Sequence, residues 1–72
     1  MITILGKLAD TKHWIGRTGF NVQYATDAWT PEMGRRWLDE AIARGDEFVL
    51  VSDELTGWYR REVEYLLNKV KP

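Results

Sequence analysis

The chain has 72 residues, 44% of them hydrophobic, with a formal net charge of −1 and no cysteine. This composition excludes a disordered chain and a disulfide-stapled fold, and the length fits one domain over residues 1–72. No stretch approaches the ~20 apolar residues of a membrane span, so we expect a soluble, cytoplasmic protein of bacterial or phage origin.

Two strands joined by a polar loop are predicted in the first third of the chain. Residues 2–8 form an apolar run, and Gly6 indicates a bend within it. Residues 19–24 alternate between apolar and polar side chains, which is typical of a half-buried strand. Residues 9–18 are polar and predict a loop, so the two strands could pair as a hairpin. The side chains expected to face inward are Ile2, Ile4 and Leu8 in the first strand and Phe20, Val22 and Tyr24 in the second.

The first helix has both of its ends marked in the sequence. Thr30 is a good N-cap, and Pro31 follows at the first helical position, where its missing N–H costs nothing. Gly45 supplies the left-handed residue that ends many helices. The sequence therefore predicts a helix over Pro31–Arg44. Its expected apolar stripe is Met33, Trp37, Leu38, Ala41 and Ile42.

A buried strand and a second helix follow. Residues 48–51 are continuously apolar and predict a buried strand. Residues 57–69 predict a helix capped by Thr56 or Asp53, with a buried stripe of Tyr59, Val63, Leu66, Leu67 and Val70. The strands before and after the first helix should run parallel to each other. We therefore expect an α+β domain of order β-β-α-β-α, with two helices packed on one face of a three-stranded mixed sheet.

Few residues carry catalytic chemistry. His13 is the single histidine, in a polar loop, and Ser52 is the single serine, without the glycines of a nucleophile elbow. Asp53 follows a strand at the end where α/β folds bind ligands, and with Glu54 it could hold Mg²⁺. A surface position for His13 and a capping role for Asp53 explain both residues more simply. We expect no metal and no cofactor, and lean against an enzyme.

Exposed aromatic and arginine side chains favour a protein-interaction function. Trp14 lies in a loop near Arg17, while Trp58, Arg61 and Tyr65 lie beside the main stripe of the second helix. Tryptophan, tyrosine and arginine are enriched at protein interfaces. Our leading hypothesis is a small non-catalytic module that binds a protein partner or self-associates through these residues.

Two alternatives stay open. A nucleic-acid-binding domain would stack bases on Phe20 or Tyr24 and hold phosphates with Lys7, Lys12 and Arg17 in or near the loop over residues 12–19. The balanced charge along the chain argues against it, because such a surface normally shows as a basic stripe.

The other alternative is a small enzyme or toxin-derived fragment that uses His13 with Asp53 or Glu54. It requires these side chains to meet in one pocket, since a general base needs an orienting partner within reach.

A longer pattern joins the helix to the segments after it. Residues 29–53 follow W-T-P-E-x-x-x-x-W-L-x-x-A-I-x-R-G-D-x-F-x-L-x-S-D, and R-E-V-x-x-L follows at residues 61–66. Residues 29–67 thus resemble a region near the ends of large bacterial polymorphic-toxin (Rhs-type) and prophage-associated proteins. The resemblance implies no catalytic role, because its matching residues are those expected to be structural. They are Trp29, Pro31, Trp37, Gly45 and Phe48.

Overall fold

Strands and helices alternate along the chain in the computed structural model, which describes residues 1–23 and 28–70. The strands are β1 (Ile2–Leu5), β2 (Phe20–Val22) and β3 (Glu47–Leu50). The helices are α1 (Leu8–Thr11), α2 (Pro31–Arg44) and α3 (Gly57–Val70), and a 3-10 turn over Lys12–Trp14 follows α1. Tyr24, expected at the end of the second strand, lies outside the described residues.

The described sheet is entirely parallel, with β1 in the centre and the order β2-β1-β3. Thr3 of β1 is paired with Asn21 on one side and with Phe48 on the other. The broad α+β class is confirmed, whereas the mixed sheet, the hairpin and the order β-β-α-β-α are wrong. Parallel neighbours need a crossover connection, and α1 with its 3-10 turn provides it. This helix is too short to show a helical period in the sequence.

Helix α2 begins and ends where the sequence predicts. The Thr30 hydroxyl accepts a hydrogen bond from the Met33 amide at 3.2 Å, and Gly45 is left-handed with φ of 78°. The Gly45 amide donates back to the carbonyls of Ala41 and Ile42. Capping alone therefore fixes the bounds of this helix.

The core lies where α2 and α3 meet the central strand. Its fully or nearly buried members are Leu5, Leu38, Tyr59, Val63 and Leu66. The expected inward positions of Leu8, Met33, Leu67 and Val70 are wrong, since these side chains are all exposed. A small sheet covers only part of each helix, so the margins of an apolar stripe stay in water.

The expectation that β3 is buried is also wrong. Val49 is 40% and Leu50 is 47% exposed, and only Phe48 of the strand packs against the core. In the described residues, β3 pairs with β1 alone and forms an edge of the sheet. An apolar run gives no indication of whether its strand is central or at an edge.

A buried carboxylate joins the turn before β3 to the central strand. Asp46 accepts hydrogen bonds from the Thr3 hydroxyl and from Arg44 Nη2, both at 2.8 Å. The terminal ammonium of Met1 lies 3.8 Å from the same carboxylate. The Arg44 hydrogen bond, together with those of Thr3 and the nearby positive charges, holds the pKa of Asp46 below its usual value, against the opposing effect of burial. These contacts connect the turn before β3 to β1 at Thr3, the residue that pairs with Phe48.

Candidate functional site

A cavity of about 540 Å³ opens at the carboxyl ends of β1 and β2, beside the start of α3. Its volume falls within the range of ligand pockets, and parallel sheets bind ligands at this end. Apolar and aromatic side chains supply most of its wall. The lining includes Leu8, Thr11, Gln23, Trp29, Trp58 and Glu62.

Among the described residues that line this cavity, Glu62 is the acidic one. It is only 8% exposed, and Oε2 accepts a hydrogen bond from Gln23 Nε2 at 2.6 Å. Burial raises the pKa of Glu62 to about 7, although the Gln23 hydrogen bond acts in the opposite direction. The carboxyl group therefore gains and loses its proton near neutral pH, which is a frequent property of functional acids.

Glu62 is not among the predicted site residues, although the sequence contains a signal for it. Tyr59, Val63 and Leu66 form the buried stripe of α3, and Glu62 occupies the i+3 position of the same stripe. A glutamate is almost never fully buried unless it is paired. An acidic residue at a core position of a helix is therefore the sequence feature that indicates this pocket.

Aromatic side chains line the same cavity as the acid. Trp29 is half-buried, and Trp58 is 47% exposed, so one face of the cavity is open to solvent. Tyr59 is buried, and its hydroxyl donates to the Ser52 carbonyl at 2.9 Å. Trp58 and Glu62 also border a second cavity of about 300 Å³ between α2 and α3. The acid thus lies between two concave surfaces.

Ser52 holds the neighbouring end of the sheet together. Its hydroxyl donates to Asp10 and accepts from the Lys7 amide at 2.8 Å. A Cβ atom on Gly6 would lie 2.7 Å from Val51 Cγ2, so the backbone approaches closely here. These contacts give Ser52 a structural role between β1 and the segment after β3.

The predicted ligand-site residues lie outside the cavity. His13 is exposed in the 3-10 turn, and Asp53 and Glu54 are exposed after β3. Glu54 Oε2 forms an ion pair with Lys7 Nζ at 3.2 Å. Among residues 1–23 and 28–70, no cluster of three His, Cys, Asp or Glu side chains is arranged to hold a metal ion.

The predicted interface residues fall into two groups. The Arg17 guanidinium lies 5.0 Å from the ring centre of Trp14, whose ring lies 5.0 Å from that of Phe20. On α3, the Arg61 guanidinium lies 5.6 Å from the ring centre of Trp58. In each pair the arginine guanidinium lies over the tryptophan ring, which is the arrangement of a cation–π pair.

Tyr65 is the fifth predicted interface residue, and it faces α2. Its hydroxyl donates to Asp39 at 2.7 Å, and its ring lies 5.4 Å from Lys69 Nζ. It also packs against the core while bordering the second cavity. Tyr65 therefore stabilises the contact between the two long helices and also lines the surface next to Trp58.

Comparison of the chain with protein-family models, with curated proteins and with solved structures found no match. The similarity of residues 29–67 to Rhs-type proteins thus stays a prediction. None of the helices in the described part of the chain has the length and apolar character needed to cross a membrane.

Proposed function

We propose that this chain is a small-molecule-binding domain whose pocket is the cavity at the carboxyl ends of β1 and β2. The observation that supports the proposal is Glu62, a carboxyl group set among aromatic and aliphatic side chains with a pKa of about 7. Burying an acid in this way costs folding free energy. Proteins keep such destabilising groups mostly where function requires them.

The architecture around Glu62 suits a ligand of modest size. Ligand pockets combine a mainly apolar lining with a few polar groups that fix orientation. Here the polar lining residues include Gln23 and Glu62, and Leu8 and Trp29 contribute to the apolar wall. The Gln23 amide holds one carboxyl oxygen of Glu62 in place before a ligand arrives.

Protein-observed NMR with a panel of small probes tests this proposal. We expect indole, benzamide or cyclohexanol, each at about 1 mM, to shift the amide signals of Gly6, Gln23 and Tyr59 and the indole signal of Trp29. The affinity for these probes should differ from that of the parent in Glu62→Leu. It should stay the same in Glu64→Gln, because Glu64 is exposed and lines only the second cavity. Shifts confined to other surfaces, or no shifts with any probe, would overturn the proposal.

We also propose, as a second function, that α3 binds a protein partner or a second copy through Trp58 and Arg61. The supporting observation is the stacking of Arg61 on a tryptophan that stays 47% exposed. Such a pair presents a large, rigid contact area at little cost in side-chain entropy. The enzyme alternative has no comparable contact among the described residues. The nucleic-acid alternative keeps the contacts of Arg17 and Phe20 with Trp14, but the chain has no basic stripe.

Replacement of both Trp58 and Arg61 by alanine tests the second function. We expect weaker association in sedimentation or light-scattering measurements, by about tenfold or more, since central tryptophan and arginine residues each contribute over 1 kcal/mol at interfaces. Arg60→Ala is the matched control, because Arg60 is exposed on the same helix and pairs with Glu64 instead. If the folded double variant associates as strongly as the parent, the surface of Trp58 and Arg61 is excluded as the binding surface.

A further inference from the structure

The carboxyl group of Glu62 has no positively charged partner in the described residues. One oxygen accepts from the neutral amide of Gln23, and none of the ion pairs in residues 1–23 and 28–70 includes Glu62. Buried carboxylates are normally paired with a cation or bound to a metal. Within the described residues, Glu62 is therefore a buried acid without a cationic partner.

The charged and titratable side chains near Glu62 are engaged elsewhere or open to solvent. Lys7 Nζ pairs with Glu54, and Arg61 covers the ring of Trp58. Burial raises the pKa of Glu62, and the hydrogen bond from Gln23 lowers it. Among the described residues, the charged or titratable ones that line the two cavities with Glu62 are Lys7, Arg35, Tyr59, Arg61, Glu64 and Tyr65.

The two carboxyl oxygens of Glu62 differ in their contacts. Oε2 accepts the hydrogen bond from Gln23, whereas Oε1 has no hydrogen-bond partner among the described residues. Because Glu62 lines the cavity, a ligand there would meet a carboxyl group with one oxygen held by Gln23.

We infer that the ligand of this pocket is an organic cation, an amine or quaternary ammonium group held by the Glu62 carboxylate in the cavity that Trp29 and Trp58 also line. The inference rests on the proposed small-molecule function. Aromatic rings attract cations through their quadrupole, and tryptophan does so most strongly. A carboxylate beside such rings adds the opposite charge, and the apolar wall accepts the alkyl groups of the ligand.

The same arrangement disfavours an anionic ligand. An anion would meet the Glu62 carboxyl, and among the described residues Lys7 is the one cation that lines this cavity. That lysine already faces Glu54 across 3.2 Å. A neutral heteroaromatic ligand would instead bind the protonated carboxyl group, and its binding would weaken as pH rises. The pH dependence of binding separates these two ligand classes.

Choline and its neutral isostere 3,3-dimethylbutan-1-ol form a matched pair of probes. We expect choline to bind at least about tenfold more tightly near pH 8 than near pH 5, because cation binding favours the ionised acid. The neutral alcohol should show no such increase. NMR titration of the Glu62 side-chain carboxyl carbon should show its pKa falling when choline is bound, while Glu64 serves as an exposed reference on the same helix.

Glu62→Gln keeps the size of the side chain and removes its charge. We expect this variant to lose the pH dependence of choline binding, whereas Glu64→Gln retains it. Equal or tighter binding of the neutral alcohol near pH 8 would overturn the cation inference and leave the pocket proposal standing. If choline, the neutral alcohol, indole, benzamide and cyclohexanol all fail to bind, both the cation inference and the pocket proposal are overturned.

Discussion

Replacement of Glu62 by glutamine is expected to stabilise the fold, by up to about 3 kcal/mol near pH 8. The pKa of Glu62 is raised from 4.5 to about 7, and each pKa unit corresponds to about 1.4 kcal/mol between the two protonation states. Glutamine is nearly isosteric and can still accept the hydrogen bond from Gln23. The variant removes the cost of burying a negative charge and keeps the shape of the pocket.

The sign of the pH dependence follows from the direction of this shift. Between about pH 4.5 and pH 7 the folded protein holds a proton on Glu62 that the unfolded chain has released, so the contribution of Glu62 to stability falls as pH rises. Above the folded-state pKa this contribution levels off. The advantage of Glu62→Gln should therefore be small near pH 4.5 and reach its full size near pH 8.

Urea unfolding of the parent and the variant at several pH values measures this difference. Glu64→Gln provides the control, because Glu64 is 59% exposed and pairs with Arg60 on the surface of the same helix. Its effect should stay within about 0.5 kcal/mol at every pH. A Glu62→Gln variant that is less stable than the parent near pH 8 would contradict the unfavourable burial of the carboxylate.

Leu38→Ala is expected to lower the free energy of unfolding by about 2–5 kcal/mol. Leu38 has no exposed surface and belongs to the cluster that joins α2, α3 and β1. A domain of this length is stabilised by roughly 4–11 kcal/mol in total. The variant should therefore lose a large fraction of its stability, and its thermal midpoint should fall by at least about 10 °C.

Thermal and urea unfolding followed by circular dichroism measure this loss. Leu67→Ala makes the same chemical change at a side chain that is 60% exposed on α3, and it should cost less than about 1 kcal/mol. Loss of the cooperative transition in Leu38→Ala would itself show that the cluster is required. Similar stabilities for the two variants would show that the core does not lie where α2 meets α3.

The sequence by itself determined the two long helices. Thr30, Pro31 and Gly45 set the ends of α2 through contacts within a few residues of each other, so no tertiary information was needed. The stripe of Tyr59, Val63 and Leu66 likewise identified the buried side of α3. Capping residues, and apolar residues that repeat about every 3.6 positions, can be recognised directly in the sequence.

The tertiary structure alone decided the strand order, the exposure of β3 and the position of the pocket. Whether residues 47–50 lie in the centre or at an edge depends on which strands pair with them, and β1 separates β3 from β2. The pocket joins Gln23 to Glu62, which are 39 positions apart in sequence. The carboxyl shares a cavity with Trp29 and Trp58 only because parallel strands direct their carboxyl ends to the same edge of the sheet.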